Sequence, residues 1–257
     1  MSAAAYAISD MVVLAKRSLL RVRRQPDLLV GYTIQPIMFV LLFLYVFGGA
    51  IQVPGLEYVD FLMPGIIVQS MVFGGFVTAL GLSDDLKKGL IDRFRSLPMW
   101  GPAVVAGRIL GDIGLNVLQL VIMLAVGFLA GFRFSTSFGE VLLGLFLVLF
   151  IGYAFSWVFA FLGLTAGSPE SANAYGFTIL FPVTFVSSAF VPVESMPSWL
   201  QPFAENNPFT KMVNAARALF VGTPAGNDVW IAFAWGIGIT VMFAVLSIWR
   251  YKRAVAR

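Results

Sequence analysis

The 257-residue sequence contains no cysteine and no histidine. Without cysteine there is no disulfide and no thiolate chemistry, and without either residue most zinc sites are excluded. The lack of histidine also removes the usual proton carrier near neutral pH. Charge is scarce as well. Asp, Glu, Lys and Arg make up 12% of the chain, against about 25% in an ordinary soluble domain. The phosphate-cradling G-x-x-x-x-G-K-[ST] loop is missing, since the dipeptide Gly-Lys never occurs. The chain therefore cannot hydrolyse a nucleotide by that route. The first residues, MSAAAYAISD, lack a basic stretch followed by an apolar core, so no cleaved signal peptide is expected. Ion-coupled carriers need titratable groups near mid-membrane. Here the acids nearest a span interior, Asp112 and Glu140, lie within a few residues of an end. Asp112 follows Arg108 by four residues, the spacing of an intrahelical pair. If this chain pumps, a separate subunit supplies the energy.

What the sequence does have is apolar length. Hydrophobic residues make up 59% of it and the mean hydropathy is +0.89, too apolar to close a water-soluble surface. The expected fold class is an all-α polytopic membrane protein with six transmembrane helices, forming one transmembrane domain over 1–257. A spanning helix needs about 20 mostly apolar residues, and such runs cover about 28–50, 61–81, 104–131, 139–166, 172–191 and 229–249. Residues 10–25 read as an amphipathic interface helix, with Val12, Ala15, Leu19 and Val22 on one face and Arg17, Arg21 and Arg24 on another. The segment 192–228 is polar and proline-rich, yet it holds two short apolar patterns. Neither is long enough to cross the hydrocarbon, so short re-entrant helices shielded by neighbouring spans are expected there. Lysine and arginine set the orientation. Fourteen lie at the amino end, between spans two and three, or at the carboxyl end, against three on the other side (Arg133, Lys211 and Arg217). Both termini are therefore expected in the cytoplasm. The same asymmetry accounts for the net charge of +4 without invoking nucleic acid.

Residues 82–98, LSDDLKKGLIDRFRSLP, hold seven charged residues between spans two and three. Leu86, Leu90, Ile91, Phe94 and Leu97 recur at helical spacing, with Asp85, Lys88, Asp92 and Arg95 opposite. Ser83 is placed to cap the helix, Asp84 and Asp85 to fill its first turn, and Pro98 to end it. The spacing therefore predicts a short cytoplasmic helix, either resting in the headgroups or receiving force from a soluble partner. Two aromatic stripes are candidates for a hydrophobic pathway, Phe39, Phe43 and Phe47 in the first span and Phe181 and Phe185 in the fifth, with Ser188 beyond.

These features resemble the permease subunits of type 2 ABC exporters, and among them the daunorubicin-resistance-like drug and lipid efflux permeases. The stretches carrying the resemblance are DDLKKGLIDRFRSLP followed by GRILGD, and GLTAGSPESANAYGFTILFPVTFVSSAFVPVESMPSWLQPFAENNPFT. The resemblance implies two permease subunits, identical or different, and two copies of a cytoplasmic ABC ATPase subunit. That ATPase would hold ATP and Mg, with no cofactor on this chain. It implies docking on the coupling helix at Asp84, Asp85, Lys87, Lys88, Gly89, Asp92, Arg93 and Arg95, and on the amino-terminal helix at Arg17, Arg21 and Arg24. The implied activity is export of a hydrophobic or amphiphilic molecule (drug, lipid or polyketide-like) from the cytoplasm or inner leaflet of the plasma membrane. Export of a lipid-linked polysaccharide and a non-transporting membrane anchor are the alternatives. A membrane enzyme is disfavoured because no catalytic set is present.

Overall fold

The computed structural model describes residues 26–51, 53–88 and 103–255. All regular structure among them is helical. Helix α1 (Pro26–Leu41) passes into a π-helical turn, Leu42–Phe47. Helices α2 (Tyr58–Gly74) and α3 (Phe76–Lys87) form an almost continuous 30-residue rod with a joint at Gly75. Then come α4 (Ala103–Leu129), α5 (Phe138–Thr165) and α6 (Pro169–Phe185). A 3-10 turn (Val193–Ser195) leads to α7 (Gln201–Asn206), α8 (Pro208–Val221) and α9 (Asp228–Val255).

Local chemistry starts and stops these helices where it should. Ser137 and Glu140 form a reciprocal capping box at the start of α5. Ser168 caps α6 with Pro169 at its first position, and Asn207 caps α8 with Pro208 in the same place. Gly222 ends α8 in the left-handed conformation, at φ 79°.

The carboxyl ends of α3, α5 and α9 meet the start of α4. One end of the bundle gathers Leu82, Val104, Ile109, Leu164 and Tyr251 into an apolar cluster. At the other end the Tyr58 hydroxyl donates to the Phe190 carbonyl (3.1 Å), the Arg133 amide to Asp60 (3.3 Å), and Thr136 to the Leu219 carbonyl (2.6 Å). Helix α5 lies at the centre, with α2, α3, α4, α6, α8 and α9 around it. Few of the described α9 residues are buried, as expected of a helix facing lipid. The main core is shared by α2, α5 and α8.

Four helices among the described residues are long and apolar enough to cross a membrane: Tyr58–Lys87, Val104–Leu129, Phe138–Thr165 and Asp228–Arg253. The first and fifth expected spans are shorter apolar helices. Helix α6 has 17 residues, about 26 Å at 1.5 Å each, against about 30 Å of hydrocarbon. Pro182 removes an amide donor near its end, and the helix stops at Phe185 rather than reaching 191.

The expected start of the coupling helix at Ser83 is corrected. Ser83 lies inside α3 and is buried, so it caps nothing. The second span simply continues to Lys87, and Lys88 is its carboxyl cap. The remainder of the expected helix, 89–98, and the amino-terminal helix, 10–25, lie outside the described residues.

Candidate transport cavity and coupling region

Helix α6 repeats Asn173, Phe177, Phe181 and Phe185 every four residues, which puts them on one face. That face meets Gln35, Pro36 and Phe39 of α1, and Gln69, Ser70, Phe73 and Gly74 of α2. Together they bound a cavity of about 290 Å³, closed toward the next helix by Gln119. The aromatic wall is tightly packed. Phe181 and Phe185 stack at 4.1 Å between centroids, Phe76 and Phe177 lie 4.7 Å apart, and Phe39 meets Phe185 edge-on at 6.4 Å. Of the six candidate pathway residues, Phe39, Phe181 and Phe185 line this cavity, while Phe47 packs on Phe43 with ring centroids 5.4 Å apart. Phe43 stacks on Phe190 instead, at 4.4 Å.

Ser188 is not part of the cavity lining. It is buried, its hydroxyl donates to the Asn214 side-chain oxygen (2.8 Å), and its amide donates to Thr210 (3.2 Å). The reason is the early end of α6. Residues 187–190 are non-helical yet fully buried. Backbone groups in such a place need partners, because lipid offers none. Side chains from α8 and its cap supply several of them, here and at the end of α6. Asn207 donates to the carbonyls of Val183 (2.7 Å) and Val186 (2.6 Å), and Arg217 donates to that of Ser188 (2.8 Å). Arg217 also reaches the Phe61 carbonyl (3.1 Å) and Asn214 (3.0 Å), with its guanidinium 3.7 Å from the centre of the Phe61 ring. Asn214 in turn donates to Asp228 (3.2 Å), which pairs with Lys211 (3.3 Å). Sequence reading counted Arg217 and Lys211 as loop charges and missed this network. The clue was an arginine and two asparagines within an apolar helical pattern.

At the opposite end the coupling residues divide. Asp84 and Lys88 pair on the surface of α3 at 2.8 Å, one turn apart, and Lys87 is exposed. Asp85 was expected on the charged face, but it is buried and faces Arg108 of α4 at 3.4 Å. Arg108 also donates to the Val77 carbonyl (3.1 Å), and the Thr78 hydroxyl donates to Asp112. The expected pairing of Arg108 with Asp112 within α4 is thus replaced by two bridges from α4 to α3. Gly81 makes this possible, because a methyl group there would overlap the Arg108 guanidinium. Gly89, Asp92, Arg93, Arg95, Arg17, Arg21 and Arg24 lie outside the described residues. Among the described residues, no group of three or more acidic side chains could hold a metal ion.

Several helices long and apolar enough to cross a membrane define a multi-pass membrane protein. More narrowly, residues 9–221 match the ABC-2 type transporter family, and the chain belongs to it. It is similar to the daunorubicin resistance ABC transporter permease protein DrrB1 of Streptomyces coeruleorubidus, with 35% identity covering 97% of this chain and 88% of the relative. It is 25% identical to the probable doxorubicin resistance ABC transporter permease protein DrrC of Mycobacterium tuberculosis, over 98% of this chain and 92% of the relative. The probable multidrug ABC transporter permease YbhR of Escherichia coli is 23% identical over 69% of this chain and 48% of its own length. The family is one of transporter permease subunits rather than catalytic enzymes, and ABC-2 permeases work with a cytoplasmic ABC ATPase.

Proposed function

We propose that this chain is the membrane half of an ATP-driven exporter for hydrophobic or amphiphilic molecules such as drugs, lipids or polyketide-like products. The aromatic cavity between α1, α2 and α6 is the observation that carries this reading. Rings that stack on one another offer the same faces to a flat apolar guest. The names of the DrrB1 and DrrC relatives point the same way.

In this reading the chain crosses the membrane six times, with α1 and α6 as the short spans and α7–α8 dipping into the outer leaflet. Both termini face the cytoplasm, as the lysine and arginine asymmetry supports. Burial of Arg217 strengthens that asymmetry, because it removes one of the three opposing charges from the loops. Two permease subunits frame the pathway, and two ATPase subunits holding ATP and Mg dock at the cytoplasmic end. The docking residues are Asp84, Lys87 and Lys88 at the tip of α3, then Gly89, Asp92, Arg93 and Arg95, with Arg17, Arg21 and Arg24. Asp85 works inside, as the partner of Arg108. A push on residues 86–103 reaches both α3 and α4, because the Asp85–Arg108 and Thr78–Asp112 bridges tie those helices together.

Transport into inverted vesicles containing this chain and its ATPase tests the reading. Uptake of a lipophilic dye should require ATP and survive a proton uncoupler. Uptake that needs no ATP and collapses with the uncoupler would overturn it.

A further inference from the structure

The cavity has a second wall that hydrophobic export alone does not use. Opposite the phenylalanines stand Gln69, Ser70 and Gln119. All three are at least nine-tenths buried, with relative exposures of 7%, 5% and 5%. Behind them lies Asn116, 1% exposed, whose side-chain nitrogen and oxygen both lack a hydrogen-bond partner. A Cβ built on Gly74 would sit 2.6 Å from the Asn116 side-chain oxygen and 3.4 Å from that of Gln119, so both α4 carboxamides pack directly against a residue that has no side chain. Asn116 does not line the cavity; the carboxamides that do, Gln69 and Gln119, carry donor and acceptor atoms suited to a guest group with the complementary pair.

Among the described residues that line the cavity, none is Asp, Glu, Lys or Arg. A ligand bearing a full charge would lose its hydration there and find no opposite charge in return. Aromatic faces attract cations, but that attraction is modest beside the cost of stripping water from an ion.

From this two-sided lining we infer that the cavity is a binding site for neutral amphiphiles. The flat or acyl part lies against Phe177, Phe181 and Phe185, and an uncharged hydroxyl, carbonyl or amide group is held by Gln69 and Gln119. The inference rests on reading the cavity as part of the transport pathway, and narrows it. A molecule carrying an amino group would bind in its neutral form, after leaving its proton in the water.

The test is photoaffinity labelling of the full-length chain in lipid nanodiscs, with adducts mapped by mass spectrometry. Three diazirine probes are compared: a neutral dihydroxyanthraquinone, the same compound bearing a trimethylammonium group, and a plain anthracene. The hydroxylated neutral probe should label the peptides holding Phe177 and Phe73. Its labelling should fall about fivefold in the Gln69→Leu/Gln119→Leu variant, the scale of losing one or two hydrogen bonds. Anthracene should label wild type and variant equally, which shows that the cavity is intact. The trimethylammonium probe should label weakly in both. If the double variant also loses anthracene labelling, the single variants Gln69→Leu and Gln119→Leu carry the same comparison. Equal labelling of wild type and variant by the hydroxylated probe, or equal labelling by the cationic and neutral probes, overturns the polar wall and leaves the pathway reading standing. Failure of every probe to label the lining residues overturns both.

Discussion

Replacing Arg217 with methionine isolates what one buried guanidinium contributes to this fold. Methionine keeps much of the apolar stem but has no donor. The Ser188 and Phe61 carbonyls and the Asn214 oxygen each lose a bond of 2.8–3.1 Å. Asn214 retains the Ser188 hydroxyl as a donor, so its loss is the smallest. The Ser188 carbonyl lies in a non-helical turn and suffers most. An orphaned buried acceptor costs about 1–3 kcal/mol, and bonds from a charged donor are at the upper end of the usual range. Loss of the contact with the Phe61 ring adds about 0.5–2 kcal/mol. The whole change is therefore about 3–5 kcal/mol, in line with breaking other buried charged networks. In a chain of this size each kcal/mol moves the melting temperature by about 2–4 °C, so a fall of about 6–20 °C is expected. The assay is tryptophan-fluorescence melting of the purified chain in nanodiscs. Arg217→Lys should fall between, since a single ammonium cannot span three acceptors spread around a planar fork. A melting temperature for Arg217→Met within about 2 °C of wild type would refute the reasoning.

Three further outcomes are expected. Ser188→Ala should lower stability by about 1 kcal/mol while leaving the order of preference among transported dyes unchanged, because Ser188 braces the turn and does not touch the cavity; a shifted preference would return it to the pathway. Gly81→Ala should displace the Arg108 guanidinium and reduce transport per ATP hydrolysed, and the exchange Asp85→Arg/Arg108→Asp should recover more of that ratio than either single change, as read from paired transport and phosphate-release assays. Substituting Asp92 or Arg93 with alanine should leave membrane insertion intact but uncouple hydrolysis from transport; normal transport by both variants would remove them from the docking surface.

The long spans were legible because mostly apolar runs of about 20 residues or more have few alternatives in water or lipid. The aromatic face of α6 was also legible, since phenylalanines four apart must share a side. The end of α6 was not. Val186 to Val191 read as more span, and nothing local says that Pro182 stops the helix when proline is tolerated inside other helices of this same chain, at Pro36 and Pro64. What decides is tertiary: α8 offers Asn207, Thr210 and Arg217 as substitute partners, so the backbone there needs no helix. Asp85 was misplaced for a related reason. The periodicity of 82–98 taken alone gives a helix with Asp85 on its polar side, but the helix belongs to the preceding span, and its phase is set by packing against α4. The polar wall left a signal that went unused. Asp112, Asn116 and Gln119 are spaced four and three apart, a polar stripe along an otherwise apolar helix. Asp112 was weighed for its charge alone, when the face it shares with Asn116 and Gln119 was the message.

The turn after α6 also constrains how the protein can be made. As residues 169–192 leave the ribosome and meet the bilayer, the carbonyls of Val183, Val186 and Ser188 have no partners, for those partners are side chains still to be synthesised. A helix that cannot finish its own hydrogen bonding cannot settle on its own. It must wait, beside the translocation machinery or in contact with water, until Asn207 and then Arg217 have been added and α8 has folded against it. A chain halted before Asn207 should accordingly leave Ser188→Cys open to aqueous thiol reagents, while the complete chain protects it. Insertion is therefore not one helix after another: α6 and the turn beyond it are completed only with the helix that follows.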